Sequence, residues 1–126
     1  MSENKPAVGS ISWFDLTVEN ADQVRDFYRE VVGWDHAPVD MGDYSDYCMN
    51  RPDDGQTVAG ICHARGANAD IPPTWMMYIT VADLDASLEK CLALGGQQLS
   101  EIRSGGGRFV VIRDPAGAVA ALFEQE

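Results

Sequence analysis

The chain nearly repeats itself. Slid by half its 126 residues, it lays Thr17-Val18 over Thr80-Val81, Asp22 over Asp85, Gly33 over Gly96 and Pro52 over Pro115. The same succession of patterns surrounds each coincidence. Ile11 to Val18 and Trp75 to Val81 are runs of aromatic and β-branched residues that read as strands. An amphipathic helix follows each at once. In the first, Asn20 and Gln23 stand at capping-box spacing, Val24, Phe27, Tyr28, Val31 and Val32 recur on one face, and Gly33 ends the pattern. In the second, Asp83 is the expected N-cap, Leu84, Leu88, Cys91 and Leu92 form the stripe, and Gly95-Gly96 stops it. One supersecondary unit, used twice, accounts for this.

Three further strands are predicted after each helix. In the first half they run over about 34–41, 44–50 and 57–64, divided by Gly42-Asp43 and by Arg51-Pro52-Asp53-Asp54-Gly55. In the second they run over about 97–103, 108–113 and 118–124, divided by Ser104-Gly105-Gly106-Gly107 and by Asp114-Pro115-Ala116-Gly117. The expected fold is α+β: one domain over 1–126, made of a βαβββ module at 8–65, a linker at 66–73 and a second βαβββ module at 74–126.

Charge narrows the partners. Nine basic residues against 20 acidic ones give a formal net charge of −11, and no run of Lys and Arg is dense enough to neutralise phosphates. Nucleic acid is therefore not an expected partner, and anionic membrane surfaces are disfavoured. No stretch approaches the roughly 20 apolar residues of a membrane span. The opening Met-Ser-Glu-Asn-Lys-Pro lacks the apolar core of a signal peptide, so a cytoplasmic location is expected. Cys48, Cys62 and Cys91 are odd in number and widely spaced, which argues against a disulfide framework or zinc knuckle and for packed, reduced thiols.

Several local motifs point to one family. Trp13-Phe14-Asp15-Leu16, Phe27-Tyr28, Gly33-Trp34, Val58-Ala59-Gly60-Ile61 and Asp114-Pro115-Ala116-Gly117 stand in this order across about residues 8 to 124. The chain thereby resembles the vicinal oxygen chelate superfamily of glyoxalase I, extradiol dioxygenases and bleomycin-resistance proteins. The resemblance implies strands that curl into a cup, helices outside, a ligand inside, and assembly as a homodimer. Strand alternation divides the residues between the two faces. Phe14, Leu16 and Val18, with Met77, Ile79 and Val81, should pack outward beneath the helices. Ile11, Trp13, Asp15 and Thr17, with Met76, Tyr78 and Thr80, should face inward.

The resemblance also implies a divalent cation held by His, Gln and Glu from four strands. Those four positions fall here on Trp13, Gly60, Met76 and Ala121, none of which binds a hard or borderline cation. Glu124 stands near the last, but three residues away and so on the other face. His36 and His63 read as exposed or edge residues, with His63 pointing away from the cup. No metal and no cofactor is expected.

The candidate ligand-binding set is Trp13, Asp15, Gly60, Cys62, Met76, Tyr78 and Ala121. Trp13 either stacks on a ligand or fills the space a cation leaves. Asp15 is a general base or cation anchor, or else an exposed strand-end carboxylate or a partner of Arg103, Arg108 or Arg113. Tyr78 orients a ligand oxygen or acts as an acid, or else is a structural tyrosine hydrogen-bonded in the sheet. Cys62 is expected as an inward-facing packed thiol without an activating base. Gly105-Gly106-Gly107 joins two strands and opens no helix, so it is a hairpin and not a phosphate cradle. Two functions remain open. One is metal-independent binding of a small organic molecule, as in bleomycin-resistance proteins. The other is a lyase, isomerase or hydrolase using Asp15 and Tyr78, metal-free or with relocated metal ligands.

Overall fold

In a computed structural model, residues 7–104 and 106–126 are described. The expectations placed on residues 1–6 and on Gly105 lie outside them. Among the described residues there are nine strands and two α-helices, with a short 3-10 turn at Gly66–Asn68: β1 (Ile11–Val18), α1 (Ala21–Val32), β2 (Asp35–Asp40), β3 (Ser45–Asn50), β4 (Thr57–His63), β5 (Met76–Thr80), α2 (Leu84–Ala93), β6 (Gln97–Gln98), β7 (Arg103–Ser104), β8 (Gly107–Arg113) and β9 (Val119–Gln125). The fold is α+β. Two compact units divide the described residues: Phe14–Trp75, and Met76–Glu126 together with residues 7–13.

Within the first unit the strand order is β2-β3-β4-β1. β1 runs parallel to β4, pairing Asp15 with Gly60 and Val18 with His63, and the other neighbours are antiparallel. α1 covers the face carrying Met49 and Ile61, which with Ala21 have no exposed surface; Val18, Val24, Tyr28, Trp34, Tyr47 and Trp75 pack around them. In the second unit the order is β5-β9-β8-β6, with β7 also on β8. β5 and β9 are parallel, repeating the β1–β4 relation, and pair Tyr78 with Ala121. α2 closes a core of Leu84, Leu88, Val110 and Leu122. The stretch before Phe14 borders β5: Gly9 N–H donates to the Thr80 carbonyl at 2.8 Å and Thr80 N–H to the Ser10 carbonyl at 2.9 Å.

Three local expectations are corrected. Asn20 does precede α1, but its side chain makes no cap hydrogen bond; its Nδ2 donates to the Gln23 side chain at 3.0 Å instead. The two polar side chains satisfy each other and leave the helix end uncapped. The apolar stripe of α1 is only half used. Val24 and Tyr28 pack inward, whereas Phe27, Val31 and Val32 are 55%, 64% and 52% exposed, and Phe14 is exposed as well. Finally, the strand expected over 97–103 is broken into β6 and β7. Ser100 Oγ, in place of a backbone carbonyl, accepts the Val111 N–H at 2.9 Å, and the ladder cannot continue through it.

Both glycine stops hold for their expected reasons. Gly33 closes α1 at φ 92°, its N–H donating to the Arg29 carbonyl. Asp83 caps α2 through the Ala86 N–H. The Asp114-Pro115-Ala116-Gly117 motif is a turn held by its own aspartate, whose Oδ1 accepts the N–H groups of Ala116 at 2.8 Å and Ala118 at 3.0 Å.

Candidate functional site

Each unit offers one sheet face that its helix does not cover, and the sequence-derived residues divide between them. In the first unit, cross-strand register sets Asp15, Gly60 and Cys48 in one row and Thr17 with Cys62 in the next. Residues in register share a face, so all five lie opposite α1. Asp46 has the parity of Cys48 on β3 and borders this group. The face is polar and these side chains are buried in it: Asp15 is 9% exposed, Thr17 4% and Asp46 6%. An exposed strand-end carboxylate is thus ruled out for Asp15. Of its expected arginine partners, Arg108 binds Asp85 and Glu124, and Arg113 hydrogen-bonds Gln97.

Cys62 lies among these carboxylates. Burial, reinforced by the charges of Asp15 and Asp46, pushes its thiol far above the ordinary range. Cys62 is therefore a neutral S–H donor toward Asp46, not a nucleophile, which agrees with a packed thiol. Cys48, Cys62 and Cys91 are all free and half-buried.

Trp13, Met76, Tyr78 and Ala121 belong to the second unit. Ala121 is fully buried and Met76 is 1% exposed, while Trp13 and Tyr78 are half-buried. Tyr78 is registered on Ala121, and Ala121 on Val111. The Tyr78 ring meets Phe109 edge-on, 5.6 Å between centroids. This aromatic pair stands where the superfamily resemblance places a carboxylate ligand. Glu124 does not substitute for it. Its Oε1 accepts the Leu84 N–H at 2.7 Å, which fixes the side chain on the α2 side of the sheet.

The donor set consequently does not fit a divalent cation. Indole, a glycine, a buried thioether and a methyl occupy the four positions. Among the described residues no group of three or more His, Cys, Asp or Glu side chains is arranged to hold a metal ion. His63 is not an exposed edge residue: its ring is 14% exposed and lies between Asp46 and Asp22 on the α1 side.

Two features escaped the sequence reading. Asp46 is buried although nothing in Ser45-Asp46-Tyr47 distinguishes it from a surface aspartate. Trp75 meets both Trp34 and Tyr28 edge-on, and the two tryptophans with Phe14, Val58 and Ala59 line an apolar groove of about 230 Å³. The only signal was that both tryptophans flank elements, one after a helix stop and one before a strand.

The model of the glyoxalase-like domain matches residues 13–123. The chain belongs to that family. CFP32 of Mycobacterium tuberculosis, which carries the name glyoxylase, is 35% identical over 123 residues, covering 92% of this glyoxalase-like chain and 46% of CFP32. The anthracycline biosynthesis protein DnrV of Streptomyces peucetius is 28% identical over 136 residues, 94% of this chain and 48% of DnrV. The chain thus spans about half the length of these curated relatives. Among solved structures, methylmalonyl-CoA epimerase of Mycobacterium tuberculosis superposes with a TM-score of 0.57 at 16% identity, covering 100% of this chain and 96% of the epimerase. The Streptomyces coelicolor epimerase in complex with 2-nitronate-propionyl-CoA gives 0.56 at 18% identity, covering 94% and 99%. These likenesses agree with the vicinal oxygen chelate resemblance and with the fold. Among the described residues no helix is long and apolar enough to cross a membrane.

Proposed function

We propose that this glyoxalase-like domain binds a small, largely apolar organic molecule without a metal, on the sheet faces its helices leave uncovered. One observation carries the reading: the four positions that would hold a cation present Trp13, Gly60, Met76 and Ala121. The same faces offer the ring of Tyr78 against Phe109 and the polar row of Asp15, Thr17 and Cys62. Such a mixture of apolar surface with a few placed polar groups suits small-molecule recognition. In the second unit Trp13 and Tyr78 supply stacking surface; in the first, Asp15 supplies a polar anchor. The kinship with an anthracycline biosynthesis protein supports a planar, polycyclic ligand. Cytoplasmic residence and a homodimer complete the reading, the latter because open sheet modules have edges that need cover.

Thermal unfolding tests it. A planar anthracycline, a short acyl-CoA thioester, and Zn²⁺, Ni²⁺, Co²⁺ and Mn²⁺ would each be added to chelator-treated protein. A ligand at a hundredfold excess over Kd adds about 2.7 kcal/mol, which raises Tm by several degrees. A shift is expected with an organic ligand and none with the metals. A shift with a metal alone overturns the proposal. The burial of Asp15 favours one further reading, proton transfer from a metal-free site; it requires that Asp15→Asn abolish turnover of whatever ligand binds while sparing the binding.

A further inference from the structure

We propose that His63 is a proton-operated latch that ties the first turn of α1 to the start of β3. This function is separate from the ligand reading above. His63 closes β4 on the face α1 covers, registered on Val18. Its Nδ1 lies 3.2 Å from Asp46 Oδ1, and the same oxygen accepts the His63 backbone N–H at 2.8 Å. On the other side of the ring, Nε2 lies 3.5 Å from Asp22 Oδ1 in the first turn of α1.

A neutral imidazole has one N–H for these two carboxylates. With the proton on Nδ1, which the shorter distance selects, the Nε2 lone pair faces a carboxylate oxygen and repels it. Only the imidazolium donates from both nitrogens. Protonation therefore turns a repulsive contact into the second arm of an Asp46–His63–Asp22 bridge. Histidine is the side chain that makes this change within ordinary pH.

The surroundings are arranged for such a switch. From α1, Asp22 also accepts the Tyr47 hydroxyl and lies 3.9 Å from Arg25, which stands 4.6 Å over the Tyr47 ring, so Asp22 keeps partners when His63 is neutral. On the β3 side the Tyr44 ring meets His63 edge-on at 5.4 Å, and Arg65 lies 4.1 Å over Tyr44 and 3.7 Å from Asp43. Asp46 in turn holds the Cys62 thiol. The bridge thus connects α1 to a residue bordering the uncovered face of the same unit. His36, whose ring meets Tyr47 at 5.9 Å, provides an internal comparison.

Ring and amide resonances of the intact chain, followed by NMR between about pH 5 and 8, test the proposal. The expected result is an Nδ1–H tautomer at the alkaline end, with the Ala21, Asp22 and Gln23 amides moving in step with the His63 ring. Asp22 is 65% exposed at its side chain, so Asp22→Asn should fold; it should remove most of that amide response. His63→Gln should abolish the response. An Nε2–H tautomer at alkaline pH overturns the proposal. So does an amide response that survives Asp22→Asn unchanged, or one that follows His36.

Discussion

The carboxylate of Glu124, on the last strand, accepts the backbone N–H of Leu84 at the start of α2 at 2.7 Å. Arg108 Nη2 donates to the same oxygen at 3.2 Å and to Asp85 at 3.0 Å. A helix N-terminus leaves its first N–H groups without intrahelical partners and favours negative charge. Asp83 satisfies Ala86, and Glu124 satisfies Leu84, which has no exposed surface. The acidic residue of β9 nearest to Ala121 is therefore committed to holding a helix.

Glu124→Ala should lower stability by about 1–2 kcal/mol, because it strands a buried N–H and removes the charge at the helix start. Urea unfolding measures the loss. Glu124→Gln should cost less, since its amide oxygen still accepts.

Alkaline pH should destabilise the fold through Cys62. Its thiol is held protonated well above the ordinary value of 9.0, by burial first and by the charges of Asp15 and Asp46 second. The unfolded chain gives up this proton near pH 9 while the folded chain retains it, so stability is fully present below that pH and is lost as pH rises above it. The drop in Tm between neutral pH and pH 10 should accordingly be smaller in Cys62→Ala than in wild type. An equal drop in both proteins would remove Cys62 from the account.

Trp75 and Phe27 should respond differently to truncation. Trp75 donates its indole N–H to the Tyr28 hydroxyl at 3.0 Å and meets both Tyr28 and Trp34 edge-on. Trp75→Ala should cost about 3 kcal/mol. Phe27 is 55% exposed, and Phe27→Ser should change stability by no more than about 0.5 kcal/mol. Chemical denaturation of the pair decides whether the apolar stripe of α1 is core or surface.

Glycines at positive φ separate backbone cost from steric cost. Gly107, at φ 148°, has no room for a Cβ: the Glu124 carbonyl oxygen lies well inside contact distance and Phe123 ring carbons at 3.0 Å. Gly117, at φ 91°, has nothing within 4 Å. Gly117→Ala should cost about 1–2 kcal/mol from conformation alone. Gly107→Ala should cost more than that, because β9 must move. Comparing the two midpoints in urea checks the ordering.

The element order was written in the sequence because alternation, helical periodicity and glycine stops are local properties. Ile11 to Val18, Gly33 and Asp83 needed no tertiary information to announce strand, stop and cap. Which side chains stand at the four positions that the resemblance assigns to metal donors, Trp13, Gly60, Met76 and Ala121, is equally a matter of sequence alone. Three-dimensional packing decided the rest. Whether Phe27 is buried depends on how far the sheet extends beneath α1, and whether Ser100 interrupts a strand depends on which N–H arrives opposite it. Asp15, Asp46 and His63 acquire their character from neighbours tens of residues away in the chain. Desolvation and charge pairing act through space, and no single-strand pattern encodes the distances on which they depend.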